Sequence, residues 1–254
     1  LKIASWNINS LRRRQDRLLV WLGEFQPDVV CLQETKCTDE QFPVGALRDA
    51  GYTAAFHGQK SYNGVAILSR SERSEVRTSL CDEEDDPQAR VIAATIGAVR
   101  VYSIYAPNGQ AVGAPAYDYK LRWFDRLKRC LKGEDARHLV VCGDFNVAPN
   151  DDDVHDPVLW RGAIMCSEDE RAAFHSLCDL GLADTLRLHH REPGIFSWWD
   201  YRMLSFPKNR GLRIDAILAG SELADRCTAA GVDREMRKGK EPSDHAPVWA
   251  EFAV

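Results

Sequence analysis

Eight short runs dense in valine and isoleucine punctuate the chain, and they restrict its fold more than any other feature. They fall at residues 2–8, 28–34, 64–69, 91–96, 100–106, 138–146, 213–219 and 247–252, each bounded by turn-forming residues, as strands are. Between some of them the apolar period changes to that of a helix. Leu18, Leu22 and Phe25 share one face after Ser10, and Tyr117, Leu121, Phe124, Leu127 and Leu131 share another that ends at Gly133. Ser167 and Glu170 have the spacing of a capping box ahead of Ala173, Phe174 and Leu177, with Gly181 as the stop. Strands mixed with helices in this way predict an α/β or α+β fold. No repeat, low-complexity segment or linker interrupts the 254 residues, so one domain over 1–254 is expected.

The ends of the runs are more specific than the runs. The segment HLVVCGDFNVAP, residues 138–149, passes from four apolar residues into Gly143, Asp144 and Asn146. In an extended chain residues two apart point to one side, so Asp144 and Asn146 are expected to project together while Phe145 packs. Gly143 would let another segment approach the backbone closely. Capping of a loop by Asx side chains explains this one segment equally well. The pattern recurs, however. The first run ends in Asn7 and Asn9, the second in Glu34, and the fifth leads to Tyr105, Pro107 and Asn108. Near the C-terminus come Asp215 and then Asp244 beside His245. Buried strands that repeatedly end in oxygen donors predict one shared pocket at one edge of the sheets. Such oxygens suit a hard cation, Mg²⁺, with Mn²⁺ as a substitute. With one histidine in the set and no cysteine cluster, zinc is not expected. The chain has no G-x-S-x-G elbow, no phosphate-binding P-loop and no dinucleotide fingerprint, so Ser243-Asp244-His245 is not a serine-hydrolase signature.

The eight cysteines form no C-x-x-C pair and several lie in apolar runs, which predicts reduced, packed thiols rather than a disulfide framework. The acidic runs 82–86 and 151–153 are expected to be solvated loops. No apolar run reaches membrane-span length, and Lys2 is followed at once by a strand pattern, so neither a membrane anchor nor a secretory leader is expected. The net charge of −5 argues mildly against a nucleic-acid partner, unless basic residues gather locally and acids collect around a metal.

The segments SWNINSLR (5–12), PDVVCLQETK (27–36), YNGVAILSR (62–70), IYAPNG (104–109), GDFNVAP (143–149), WWDYR (198–202), NRGLRIDAIL (209–218) and PSDHAPV (242–248) closely resemble the exonuclease III family of abasic-site (AP) endonucleases. That family lies within the endonuclease/exonuclease/phosphatase superfamily. The match runs in family order over nearly the whole chain, whereas GDFN or SDH alone would point only to the superfamily. The resemblance implies a DNase I-like, four-layered αββα sandwich, with two mixed β-sheets face to face and helices outside. It implies a Mg²⁺-dependent phosphodiesterase of double-stranded DNA that cuts 5′ to abasic sites and removes 3′-blocking groups and 3′-nucleotides. A monomer in the bacterial cytosol or nucleoid, with no membrane partner, is expected on the same ground.

Carried onto this chain, Glu34 would be the principal metal ligand with Asn7 beside it. Asp144, helped by Asn146, would orient and deprotonate the attacking water. His245, paired with Asp215, would meet the scissile phosphate, which Tyr105 and Asn108 would also hold. Asp244 would lie near the metal and the leaving group. Trp198, Leu212 and Ile214 would line a pocket for the flipped-out abasic sugar, although large apolar residues near a sheet are more often core. Trp199 is expected in the core. Arg90, Lys36, Arg202 and the basic stretch 234–240 are candidate phosphate contacts or ordinary surface residues. Asn9 stands where eukaryotic relatives carry Asp, and Ser10 where Gly is common. Leu212 matches the bacterial pattern. Met165, if it reaches the pocket, would narrow it and favour 3′-ends over internal abasic sites. Two other readings remain in view. One is a superfamily enzyme acting on a phospholipid, an inositol phosphate or RNA, and the other is a DNA-end-binding protein without catalysis.

Overall fold

The computed structural model describes residues 1–82, 84 and 86–253. In chain order its strands are β1 (Lys2–Asn7), β2 (Val29–Gln33), β3 (Thr53–His57), β4 (Val65–Ser69), β5 (Arg73–Arg77), β6 (Val91–Ile96), β7 (Val99–Tyr105), β8 (Leu139–Asp144), β9 (Leu182–Asp184), β10 (Asp215–Gly220), β11 (Cys227–Val232) and β12 (Val248–Phe252). The helices are α1 (Leu11–Phe25), α2 (Val44–Asp49), α3 (Pro115–Leu131), α4 (Pro157–Trp160), α5 (Glu168–Cys178), α6 (Thr185–His189) and α7 (Ser221–Ala224). The strands form two six-stranded sheets, in the orders β11-β12-β1-β2-β4-β3 and β5-β6-β7-β8-β10-β9. Each sheet is mixed. β1–β2 and β7–β8 run parallel, and the other pairs are antiparallel.

Alternation explains why the inner strands read as unbroken apolar runs. In β4, Val65 and Ile67 face the opposite sheet while Ala66 and Leu68 face outward under helices. In β8, Val140 and Cys142 point between the sheets while Leu139 and Val141 point out. Both faces are covered, so both must be apolar. α1 lays Leu18, Trp21 and Leu22 on the outside of the first sheet. α3 and α5 lay Phe124, Leu127, Phe174 and Leu177 on the outside of the second. The result is the expected αββα sandwich. The box at Ser167 and Glu170 starts α5 as its spacing predicts, each side chain bonding the other's backbone N–H.

The structure corrects several expectations. β8 stops at Asp144, and Asn146 is left-handed (φ 51°) rather than extended. Its N–H donates to Asp144 Oδ1 at 2.8 Å, so the Asx loop-capping reading also holds here. The acidic runs are not simply solvated. Asp153 is fully buried between Arg213 and Arg187, and Asp82, Glu84 and Asp86 surround the buried Arg126 guanidinium. Glu83 and Asp85 of the first run lie outside the described residues. Cys81 and Cys130 are joined in a disulfide, because the turn before β6 crosses the end of α3 and closes 49 residues of sequence separation. The other six thiols are free, four of them buried. No helix among the described residues is long and apolar enough to cross a membrane.

Candidate active site

The parallel pair at the centre of each sheet ends at the same edge of the sandwich. In the second sheet Tyr105, Asp144 and Asp215 lie abreast, with Tyr105 opposite Asp144 across β7–β8 and Asp215 opposite it across β8–β10. In the first sheet Asn7 ends β1, and Glu34 follows β2 directly. Close packing at Gly143 holds the row in place. A Cβ there would lie 1.9 Å from the Ile104 carbonyl oxygen, and φ is 151°.

Asn7 joins the two rows. Its amide nitrogen donates to Glu34 Oε1 at 2.8 Å and to Asp144 Oδ2 at 2.9 Å. Glu34, Asp144 and His245 bring one ligand atom each within 4.8 Å of one another, the one such group among the described residues. His245 sits on the segment before β12, where the Ser243 hydroxyl accepts its N–H and in turn donates to the Asn7 carbonyl. His245 Nδ1 faces Asp215 Oδ2 at 2.9 Å, and Nε2 points to Asp144 Oδ2 at 3.7 Å. The same Asp215 oxygen also accepts from the Ser197 hydroxyl at 2.6 Å.

Burial and charge set the protonation states. Asp144 is almost completely buried, and desolvation, with Asp215 nearby, pushes its pKa up to about 7 despite His245. Burial works against the charged form of His245, but Asp215 and Asp144 overcome it and raise its pKa to about 10. The imidazolium is therefore the resting form at neutral pH. Burial, followed by the charges of Glu34 and Asp144, keeps Tyr105 a neutral phenol, able to donate. Asp244 goes the other way. Burial disfavours its charge, yet His245, Asn9 and Trp198 hold it below the usual carboxylate range. Its two oxygens accept from Asn9 Nδ2 at 2.9 Å and Trp198 Nε1 at 3.1 Å.

The donor set fits a hard cation. Glu34 Oε2 and Asn9 Oδ1 converge on the Lys36 ammonium at 2.7 and 2.6 Å, so these oxygens already organise around positive charge. Asn7 turns its NH₂ toward the carboxylates, and the same amide turned over would offer oxygen instead. Asn9, Ser10, Glu34, Lys36 and Asn146 all have positive φ, from 45° to 85°. Left-handed backbone at non-glycine residues is costly and gathers where a site demands it.

The remaining expected residues divide. Asn108 joins the site by donating to Asn146 Oδ1 at 3.2 Å. Trp198 reaches it through Asp244. Leu212 and Ile214 lie fully buried beneath Trp198, in one apolar cluster with Ala148, Val154, Cys166 and Met165. Trp199 is in the core as expected. Arg90 stacks on the Tyr105 ring at 4.9 Å. Arg202 pairs with Asp200 at the surface, and Arg237 is buried on the Ser243 and Trp199 carbonyls, which makes it structural. Two residues escaped sequence reasoning. Ser197 looks like any loop serine until it is seen under Asp215. Lys120 looks like a solvated helix lysine until it is seen fully buried behind Asn146. Beside Trp198, a hollow of about 380 Å³ lined also by His155, Arg202 and Arg210 carries the exposed Met203 at its rim. On the other flank Arg13, Arg14, Lys36 and Tyr201 line a hollow of about 480 Å³.

A two-sheet sandwich with carboxylates, amides and an imidazolium at one edge defines a hydrolase of phosphate esters, and residues 4–245 match the Endonuclease/Exonuclease/phosphatase family, to which the chain belongs. It is 37% identical to exodeoxyribonuclease III of Haemophilus influenzae, over 99% of this chain and 100% of the relative. The solved structure of the 3′ phosphatase NExo from Neisseria, bound to product DNA hairpin, superposes with a TM-score of 0.98 at 45% identity, over 100% of both chains. An AP endonuclease from Archaeoglobus fulgidus does so with a TM-score of 0.96 at 40% identity, again over 100% of both. Within the family the chain is a nuclease of the exonuclease III/AP endonuclease type.

Proposed function

We propose that this nuclease is a Mg²⁺-dependent phosphodiesterase of double-stranded DNA that cuts 5′ to abasic sites and clears blocking groups and nucleotides from 3′-ends. The observation that carries the reading is the meeting of Glu34, Asp144 and His245 within 4.8 Å at the joined strand ends. The names of its relatives support both activities.

The geometry suggests how the work is divided. Asp144, with a pKa near 7, would orient a water in line with the phosphorus and take its proton, with Asn146 beside it. The His245 imidazolium, fixed by Asp215, would donate Nε2–H to a non-bridging phosphate oxygen as negative charge builds there. The Tyr105 hydroxyl and the Asn108 amide would hold the same phosphate. Glu34 and Asn7 would hold the cation, with Asp244 toward the leaving 3′-oxygen. Bound there, Mg²⁺ would supply positive charge to the phosphate and to the departing oxygen. The hollow beside Trp198 and the one lined by Arg13, Arg14 and Lys36 would take the flanking phosphates, which reconciles a net charge of −5 with a DNA substrate.

The test uses two labelled duplexes with Mg²⁺ and with EDTA, one carrying an internal abasic-site analogue and the other a recessed 3′-phosphate. Mg²⁺-dependent cleavage of both supports the reading. Cleavage of neither would move weight to a lipid, RNA or binding-only role.

A specific observation favours a second reading, in which the enzyme acts on 3′-ends and incises abasic sites weakly. Met165 is left-handed (φ 69°) and packs against the Leu212–Ile214 cluster under Trp198, where it would restrict a sugar pocket. Met165→Gly removes that side chain and suits the backbone. It should raise abasic incision relative to 3′-trimming, and an unchanged ratio would count against the idea.

A further inference from the structure

Lys120 and Glu170 form a fully buried ion pair behind the site, and neither can reach a substrate. The Lys120 ammonium has three protons and three acceptors: the Glu170 carboxylate, the Asn146 carbonyl at 2.7 Å and the Asn108 carbonyl at 3.2 Å. Glu170 is equally engaged. Its Oε1 also accepts the Met165 N–H at 3.0 Å, and its Oε2 accepts the Ser167 N–H at 3.1 Å and the Ser167 hydroxyl at 2.7 Å. One pair thus ties together the loop after β7, the loop after β8 and the turn before α5.

A buried ion pair is a poor way to gain stability, since apolar groups of the same shape would do as well. What it offers is direction. Each bond fixes a carbonyl or an N–H at a definite place, on loops whose side chains face the reacting edge. We propose that the Lys120–Glu170 pair is a positioning clamp, which sets the Asn108 and Asn146 amides for the reaction and couples them to the Met165 wall. The proposal rests on the reading of Asn108 and Asn146 as groups at the phosphate.

Lys120→Met alone strands a buried carboxylate and is a poor test of position. The pair variant Lys120→Met/Glu170→Gln leaves no lone charge and should melt within a few degrees of the wild type. On the 3′-phosphate duplex with Mg²⁺, its kcat should fall on the order of 10–100-fold, with KM within about threefold. Combined with Asn108→Ala/Asn146→Ala, the pair change should add little to the loss that those two changes cause alone, because it acts through the same two groups. A purely structural role would not give that non-additivity. Should the pair variant melt early, Glu170→Asp keeps the charges but draws the carboxylate back from Met165 and Lys120, and the same loss in kcat is expected. Wild-type kcat in the clamp variants beside a slow Asn108→Ala/Asn146→Ala overturns the clamp. So do losses that multiply in full in the combined variant. A wild-type rate in Asn108→Ala/Asn146→Ala overturns the functional reading itself, and the clamp falls with it.

Discussion

Asp144 is asked to be both buried and basic, and its neighbours make this workable. A carboxylate in water would be too weak a base at neutral pH, but desolvation and Asp215 bring this one to about 7. Replacing Asp144 with Asn should cost on the order of 10²–10⁴-fold in single-turnover cleavage and leave DNA affinity intact, with gel-shift binding measured alongside. The pH–rate profile should be a bell. As the proposed base, Asp144 would work only without its proton, so the rate should rise with pH toward about 7, and a bound cation should move that limb lower. As the proposed phosphate donor, His245 would work only with its proton, so the rate should fall as pH passes about 10. In metal-free protein the sign for stability is fixed by the same shift. The folded pKa of His245 lies above its ordinary 6.5, so its stabilising contribution is complete below that value and lost as pH rises toward 10. Thermal melts of wild type and His245→Asn across that window should converge at the alkaline end.

At the scale of elements, the eight runs that the sequence displays are the eight inner strands of the two sheets. The four strands it hides, β3, β5, β9 and β11, are the four sheet edges. An inner strand is apolar on both faces, whereas an edge strand is half solvated. The SEVR of β5 is largely exposed and reads as a loop. The long helices were legible by period and caps, while α2, α4, α6 and α7 are too short to show a period. Glycine was legible where it mattered. Gly143→Ala would press a methyl group into the Ile104 carbonyl, and it should cost about 1–3 kcal/mol in urea unfolding and misplace Asp144 enough to slow cleavage.

At the scale of the molecule, two sheets contribute to one site, and a cation would be shared between them. Metal binding should therefore stabilise the whole sandwich. Mg²⁺ at a hundredfold excess over its Kd should add about 2.7 kcal/mol, visible as a rise in Tm that EDTA reverses and that Glu34→Gln largely abolishes. DNA affinity should fall steeply with salt, since the substrate would be held by cations in hollows rather than by overall charge.

The sequence alone determined the alternation that makes a layered α/β sandwich, and it marked the strand ends where Asn7, Glu34, Tyr105, Asp144, Asp215 and His245 collect. Those signals are local, because period and punctuation are properties of neighbouring residues. Only the tertiary structure decided that Asn7 bridges the two sheets, that Ser197 steadies Asp215, and that Lys120 and Glu170 stand behind the loops that carry Asn108 and Asn146. It also drew Asp153 out of the acidic run 151–153 to pair with the buried Arg213, and closed the Cys81–Cys130 bond. Each of these joins residues far apart in the chain. A polar residue destined for a buried partner looks the same in sequence as one destined for water, until the fold supplies the partner.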